Sequence, residues 1–472
     1  MTKHKNLLIG LSLLCSVFTA CRVGKDFTRP AAVLPEQYRH AAAPADSSNI
    51  GSLSWKVFFT DPVLQALIDS AIVKNYDLQI GLKNVAAAAQ TLKSARMAGL
   101  PELNLQVQGN RNWSSKNSLN GSLSEQFMGT AYMDDYNANL GLTWEVMAWG
   151  KISRMKEAEL AAYLQTEDVS RAVQSRVVSE VAQGYYNLLM LDAQLEIAQQ
   201  NLRLNDSTLQ MMRLQYHAGQ INTLAIEQTE TQRQTAAALI PKVEQQIVLQ
   251  ENALRILTGN LPGAITRHAR LTDINPGAHF ATGIPAALLT QRPDVHASEL
   301  AVKEANARAG IAQASMYPAL NITASVGVNS FKAYNWLNVP GSLFEMVGAS
   351  IAQPVFQQRK LKTAWEKAKI EREKSILEFQ KAVLTAVGEV SDALVKVDKL
   401  QAQREMTQVK VDKSQSAVRN AGMLFQSGMA TYLEVITAQS NTLQSELDLA
   451  AIHREQLEAT VALYRALGGG WK

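Results

Sequence analysis

Leu100-Pro101-Glu102-Leu103-Asn104-Leu105 and, 217 positions later, Tyr317-Pro318-Ala319-Leu320-Asn321-Ile322 are two spellings of one motif. Around them Asp77, Val85, Ala88 and Ala95 recur at the same offset as Asp294, Val302, Ala305 and Ala312. Further along the offset becomes 209, and Gly219, Leu224, Ala253, Leu254 and Gly259 return as Gly428, Leu433, Ala462, Leu463 and Gly468. The chain is an internal duplication whose second copy is eight residues shorter between the two blocks. The polar segment Ser114–Thr130, facing the shorter Phe331–Ser342, is where a surface loop would absorb that difference.

Each motif opens a strand. Leu103, Leu105 and Val107 alternate with Asn104, Gln106 and Gln108, and Ile322, Ala324, Val326 and Val328 alternate with Asn321, Thr323, Ser325 and Asn329. Ala138, Leu140, Leu142 and Trp144 do the same with polar neighbours, and Phe344–Phe356 is a less regular fourth segment. Alternation over about ten residues, flanked by Trp113, Tyr132, Trp144, Trp336 and Phe344, is the pattern of a membrane β-barrel strand. A soluble hairpin with one buried face is the other reading. Four strands cannot close a spanning barrel, for which about eight is the smallest number. In lipid every strand edge must be paired, so these strands span only if several chains share one sheet. Two chains would supply eight strands and three would supply twelve; periodicity does not choose.

Between the strands lie long stretches without helix breakers. Lys151 to Ala218 holds one glycine, Gly184, and no proline; Leu361 to Ser427 holds Gly388 and Gly422 and no proline. Sixty-eight helical residues reach roughly 100 Å, too long for a compact globule. Seams stepping by 4 and 3 run through Val181, Leu188, Leu195, Leu202, Asn205 and Met212, then through Phe379, Val383, Ala386, Val390, Ala393 and Val397. In the last helix the stripe passes through Leu433, Ile436, Ser440, Leu443 and Leu447. A sustained 3.5-residue period predicts antiparallel coiled coils with left-handed supercoiling. Gly219 and Gly428 supply the turns between long helices. Pro241, whose counterpart is Ala450, predicts a break in the fourth long element.

Composition excludes other classes. The 472 residues are 47% hydrophobic and 19% charged, with 46 basic against 42 acidic side chains for a net +4. That field is too weak to argue for nucleic acid. No run of 18 apolar residues follows the extreme N-terminus, so no spanning helix is expected in a mature chain. Lys3 and Lys5 precede the apolar run Leu7–Val17 and then Phe18-Thr19-Ala20-Cys21, which reads as a secretory signal ending in a lipobox-like site. Residues 1–20 are then a lipoprotein signal peptide and Cys21 is the lipidated residue. Cys15 leaves with the signal, so no internal disulfide is expected. The domain reading is 21–60 as an extended, lipidated segment, 61–270 as the first repeat and 271–472 as the second. The first repeat carries strands at about 101–113 and 131–147 and helices at about 150–218 and 222–258; the second carries strands at about 318–330 and 343–357 and helices at about 359–427 and 430–467.

Several motifs together resemble the TolC-like outer membrane efflux lipoproteins of the OprM/NodT-type branch. Cys21-Arg22-Val23-Gly24-Lys25-Asp26-Phe27-Thr28-Arg29-Pro30 is similar to their mature start, and Asn75-Tyr76-Asp77-Leu78 and Gln291-Arg292-Pro293-Asp294-Val295 to their helix starts. Gly428, Tyr432-Leu433-Glu434-Val435 and Ala462 to Trp471 match their second hairpin turn and C-terminus. The resemblance implies an α+β membrane protein: long antiparallel coiled-coil helices forming a periplasmic tunnel, and four strands per chain contributing to a shared trimeric 12-strand β-barrel. It implies a homotrimer in the outer membrane lipid of a Gram-negative bacterium, anchored at Cys21. Its partners would be a periplasmic adaptor and an inner-membrane transporter of the resistance–nodulation–division class, and its role a passive exit duct for drugs or other small molecules. On the matching positions Leu433, Glu434, Thr437 and, in the first copy, Leu224 would form the channel constriction, and the turns at Gly219 and Gly428 would dock the adaptor.

No catalytic constellation is legible. The seven histidines show no metal spacing, there is no HExxH, and there is neither a phosphate-cradling glycine loop nor a G-x-S-x-G elbow. Gly468-Gly469-Gly470 reads as a helix C-cap. No enzyme activity, cofactor, metal or nucleic-acid partner is expected. Two other readings stay open: the outer membrane duct of a type I protein secretion system, and a non-channel periplasmic coiled-coil scaffold.

Overall fold

The computed structural model describes residues 23–32, 34–39, 49–115, 117–130, 132–146, 149–275 and 283–472. Cys21 and the signal lie outside them. The order is α1 (Trp55–Phe58), α2 (Pro62–Lys74), α3 (Tyr76–Met97), β1 (Glu102–Asn112), α4 (Leu119–Met128), β2 (Met133–Val146), α5 (Lys151–His217) and α6 (Thr223–Leu257). Then follow α7 (Leu288–Gln291), α8 (Pro293–Ala314), β3 (Ala319–Ser330), β4 (Leu343–Ala352), α9 (Lys360–Gln426) and α10 (Tyr432–Ala466). The duplication is literal in length: α5 and α9 have 67 residues each, α6 and α10 have 35 each. No helix among the described residues is long and apolar enough to cross a membrane.

The chain separates into two compact units. One takes in Ala87–Leu164 and Leu300–Leu377 with the described residues up to Pro30; its centre is an antiparallel sheet of order β1-β2-β3-β4. Leu103, Leu105 and Val107 stand opposite Leu142, Leu140 and Ala138, which meet Ala324, Val326 and Val328. Val347 and Leu343 of β4 extend that apolar face opposite Ala324 and Val328. The other face carries Asn104, Gln106 and Gln108 across from Gly141, Asn139 and Asn137, then Ser325, Gly327 and Asn329. In β4 the alternation slips: Glu345 enters the apolar row opposite Val326, and Phe344 and Met346 enter the polar one. Segment Ser114–Thr130 is not a plain loop. It contains α4, whose start is capped by the Ser118 side chain accepting from Gly121 N and whose end closes at Gly129.

The second unit comprises Ala31–Ala86, Gln165–Glu299 and Glu378–Lys472 and holds the main apolar core. Asp61 starts α2 by accepting from Val63 N and Leu64 N, with Pro62 at the first helical position. That helix buries Leu64, Ile68 and Ala71 against Val177, Val181 and Tyr185 of α5 and Leu457, Val461 and Tyr464 of α10. Each fully buried Leu or Ile there contributes about 1.5–3 kcal/mol. The α9 seam from Phe379 through Val383, Ala386, Val390 and Val397 to Leu400 is buried throughout, as its 3.5-residue period predicts.

Packing repeats along with sequence. Asn75 Nδ2 donates to the last-turn carbonyl of Leu257 at 2.8 Å, and its counterpart Arg292 donates to Ala466 O at 3.3 Å. Arg292 also holds Asp294 in a two-pronged ion pair and Glu389 at 2.7 Å. Burial acts to raise the Asp294 carboxyl, but the Arg292 hydrogen bond and charge outweigh it and leave the group below its ordinary value. The long helices α5, α6, α9 and α10 end alike, on Gly219, Gly259, Gly428 and Gly468, all at positive φ, with paired bonds back to the last turn. Gly468 thus caps α10 as the sequence suggests.

Pro241 does not break α6, which runs unbroken through it from Thr223 to Leu257. The ring lies on the exposed face while Ala236 and Val243 on either side are buried, so packing holds both halves in line. The carbonyl that loses its donor, on Ala237, lies on a half-buried residue on the way to that solvent side.

His453 of α10 is buried, beside Arg404, with Nε2 3.1 Å from Ile274 O. Burial first, and the Arg404 charge second, push the imidazole below its ordinary 6.5. As pH falls the unfolded chain therefore takes up the proton before the folded one. Stability is full at neutral pH and is lost from about 6.5 down to the lowered folded value. The unfolding midpoint of the helical unit should drop across that interval, and His453→Gln should flatten the drop; an unchanged slope in the variant would assign it elsewhere.

Candidate channel site

Three places carry the residues singled out by sequence. At the hairpin tips, Gly219 (φ 72°) and Gly428 (φ 74°) turn α5 into α6 and α9 into α10. A Cβ added at either glycine meets nothing within 4 Å, so both turns are open to a partner. The two tips border one cavity of about 790 Å³ lined by Gln215, Gln220, Ile221, Phe425, Thr431 and Tyr432, among others. Phe425, which lines it, also packs in the apolar cluster with Met212 and Val435.

Leu433 and Leu224 occupy equivalent places just after these turns and are 55% and 50% exposed. Glu434 and Thr437 are exposed beside Leu433, one and four residues on along α10. Leu433 is therefore not a residue of the seam within this chain. The expected apolar stripe Leu433, Ile436, Ser440, Leu443, Leu447 is exposed or half-buried, and the residues packed inward are Val435, Gln439, Thr442 and Ser445. Small hydroxyl side chains let helices approach closely, and the larger apolar ones are left outward. Glu434 has a second duty missed in the sequence: its carboxylate accepts from Thr431 N while Thr431 caps the helix, a reciprocal capping box. The signal for it is the run Thr431-Tyr432-Leu433-Glu434. In the first copy Asn222 caps through Ala225 N instead.

The sheet is the second place. Among the described residues both edge strands are unpaired on their outer side. On the apolar face Leu103, Leu105 and Val107 of β1 and Val347 and Ile351 of β4 are each at least 62% exposed. Aromatic side chains mark both ends of the sheet. Trp113 and Tyr132 sit together at one end, where Arg111 lies 4.0 Å over Tyr132 and pairs with Asp134. At the other end Trp144 Nε1 donates to Gly99 O, and Trp149 Nε1 donates to Pro318 O beside Tyr317.

The third place is the leading segment. Val23 N donates to Trp149 O at 3.3 Å, in the connection between β2 and α5. Arg154, only 1% exposed, donates to Gly24 O at 3.0 Å and to the Asp26 carboxylate at 2.9 Å, and also pairs with Glu157. Asn306 Nδ2 adds a bond to Lys25 O. Residues two to five positions after Cys21 are thus pinned at a strand–helix junction. Sequence reasoning missed Arg154, and no local pattern distinguishes it from other helix arginines. Among the described residues no three His, Cys, Asp or Glu side chains are grouped as a metal site.

An open four-stranded sheet joined to paired helices of this length is the fold of an outer membrane channel subunit. The crystal structure of CusC superposes with a TM-score of 0.83 at 28% identity, covering 95% of this chain and 100% of that one. The MtrE outer membrane channel of Neisseria gonorrhoeae gives 0.84 at 24% identity over 96% and 99%, which bears on the fold alone. The outer membrane efflux protein family matches residues 67–260 and 284–469, and the chain belongs to that family. Curated relatives include the cation efflux system protein CusC of Escherichia coli, 28% identical over 96% of both chains. The toluene efflux pump outer membrane protein TtgC of Pseudomonas putida is 27% identical over 100% of this chain and 96% of its own. The probable outer membrane lipoprotein SilC of Salmonella typhimurium is 26% identical over 98% of both. The chain is an outer membrane component of an efflux pump that works with an adaptor and an inner-membrane transporter, a transport protein and not an enzyme.

Proposed function

We propose that three copies of this chain join β1 of one to β4 of the next, closing a twelve-strand barrel over a periplasmic duct built from the long helices. The duct carries small molecules handed on by a transporter of the resistance–nodulation–division class. The observation that carries this reading is the sheet: two unpaired edges and an uncovered apolar face belong in lipid only when other chains complete the ring. The polar face then lines a wet lumen. The division into a signal (1–20), a lipidated segment (21–60) and two repeats (61–270 and 271–472) is part of the same proposal. So is acylation of Cys21, supported by the Ala20-Cys21 site and by the clamp that keeps Val23 at the strand–helix junction.

Leu433 and Leu224 form the apolar constriction, Glu434 and Thr437 the polar ring beside it, and the Gly219 and Gly428 turns receive the adaptor. Their shared exposure at the tips, next to an open groove, supports the assignment. Protein extracted from outer membranes should run as a heat-labile trimer and conduct in planar bilayers. Leu433→Gly should raise the closed-state current severalfold. Glu434→Gln keeps an acceptor for Thr431 N and removes the charge, so it should weaken cation preference without fraying α10. A monomer in mild detergent would overturn the assembly; closed-state current and selectivity unmoved by either substitution would remove these residues from the gate.

A further inference from the structure

Inside the helical unit the packing changes character on the way to the tips. Met212, Phe425 and Val435 form an apolar knot next to the turns. The main core, with Val181, Tyr185, Leu189, Leu457 and Val461, lies at the other end. Between them, beside the buried Leu209 of α5 and Ala236 of α6, lies a set of buried polar side chains: Asn201, Asn205 and Thr208 on α5, and Gln439, Thr442 and Ser445 on α10, none more than 8% exposed. The two helices are antiparallel here. Met212 packs with Val435, and four residues along each helix Gln439 Nε2 donates to Thr208 Oγ1 at 2.7 Å. Stepping on by the helix period from that bond puts Asn205 level with Thr442 one turn further and Asn201 level with Ser445 one turn beyond.

Apart from the Gln439–Thr208 bond, these layers hold themselves and not each other. Thr208, Thr442 and Ser445 donate to the carbonyls of Leu204, Ala438 and Asn441 in their own helices, a back-bond that weakens and bends a helix. Asn205 Nδ2 bonds back to Asn201. Asn205 Oδ1 and Gln439 Oε1, both fully buried, meet no donor among the described residues. Buried acceptors of this kind gain from water, and a protein–protein hydrogen bond exchanges for a protein–water bond at small net cost. Separating these layers is therefore far easier than separating apolar layers of equal burial.

We propose that residues 201–208 of α5 and 439–445 of α10 form a hinge into which water passes, letting the apolar knot and the tips swing while the core stays packed. The function of this motion rests on the gating proposed above; the hinge itself does not. Hydrogen–deuterium exchange of the detergent-solubilised full chain tests it. Amides in 201–208 and 439–445 should exchange at least about tenfold faster than those in 182–191 and 457–464, although both sets are buried. Thr208→Val with Gln439→Leu should slow the hinge amides by about tenfold and leave the core amides alone. Should that pair misfold, Thr442→Val or Ser445→Ala removes one back-bond at nearly constant volume and should slow exchange in the same windows. Equal rates in hinge and core, or rates unmoved by a folded variant, would overturn the hinge and leave the polar layers as fixed register markers. Slowed exchange with unchanged conductance would keep the hinge and sink the gate.

Discussion

Leu105→Lys or Val347→Lys should abolish recovery of the protein from the outer membrane, whereas Gln106→Lys or Asn139→Lys should leave assembly intact. Leu105 and Val347 belong to the apolar face and are 74% and 82% exposed in the chain; Gln106 and Asn139 are paired on the opposite face. A lysine facing the middle of the bilayer costs roughly 2–4 kcal/mol, and the proposed trimer would incur it three times over. A lysine in the water-filled lumen keeps its hydration and costs little. Quantifying the heat-labile oligomer in outer membrane fractions separates the cases by orders of magnitude. Should the polar-face lysines be the harmful ones, the faces are reversed and the sheet does not sit in lipid. Glu345, already in the apolar row, bears on how strict the band is: it lies two residues from the start of β4, near the aromatic end, where the cost of charge falls off.

The second large effect concerns four glycines that sequence alone makes equivalent. Gly219, Gly259, Gly428 and Gly468 all take positive φ at helix ends. At the tips an added methyl meets nothing, so Gly219→Ala and Gly428→Ala should cost about 1 kcal/mol each, the backbone penalty. At Gly259 the same methyl would lie 2.5 Å from Lys74 O, and at Gly468 it would lie 2.6 Å from Gln291 O. Backbone oxygens cannot swing aside. Overlap adds about 1–3 kcal/mol to the conformational cost, and Gly259→Val or Gly468→Val should lose most of the folded protein. Protease resistance and unfolding midpoints of the four variants give the ranking. If the tip variants fell as far as the core ones, the helix ends would be set by turn conformation alone and the close packing on α2 and α7 would be irrelevant.

Much of this architecture is legible along the chain because it is periodic. Alternation marks Leu103 to Val107, and the buried α9 seam from Phe379 to Val397 repeats every 3.5 residues, so neighbouring positions report the same face. Where periodicity and packing part company, the reading fails. Pro241 looks like a break, yet α6 continues because Ala236 and Val243 are held on either side. The stripe through Leu433, Ile436 and Leu443 looks like the seam of α10, yet Gln439, Thr442 and Ser445 are the residues turned inward. Hydrophobicity says that a stripe will be covered; it does not say by which chain.

The duplication, the two long helical hairpins and the amphipathic strands follow from local sequence, since strand and helix periods are properties of consecutive residues. The clamp of Arg154 on Gly24 and Asp26, the contrast between open and crowded glycines, and the polar layers around Asn205 and Gln439 came only with the folded chain. Each depends on a partner brought close from elsewhere in the sequence, 281 positions away for Asn306 and Lys25 and 231 for Gln439 and Thr208. A side chain's chemistry is written at its own position, but the energy it contributes is set by what the fold places across from it.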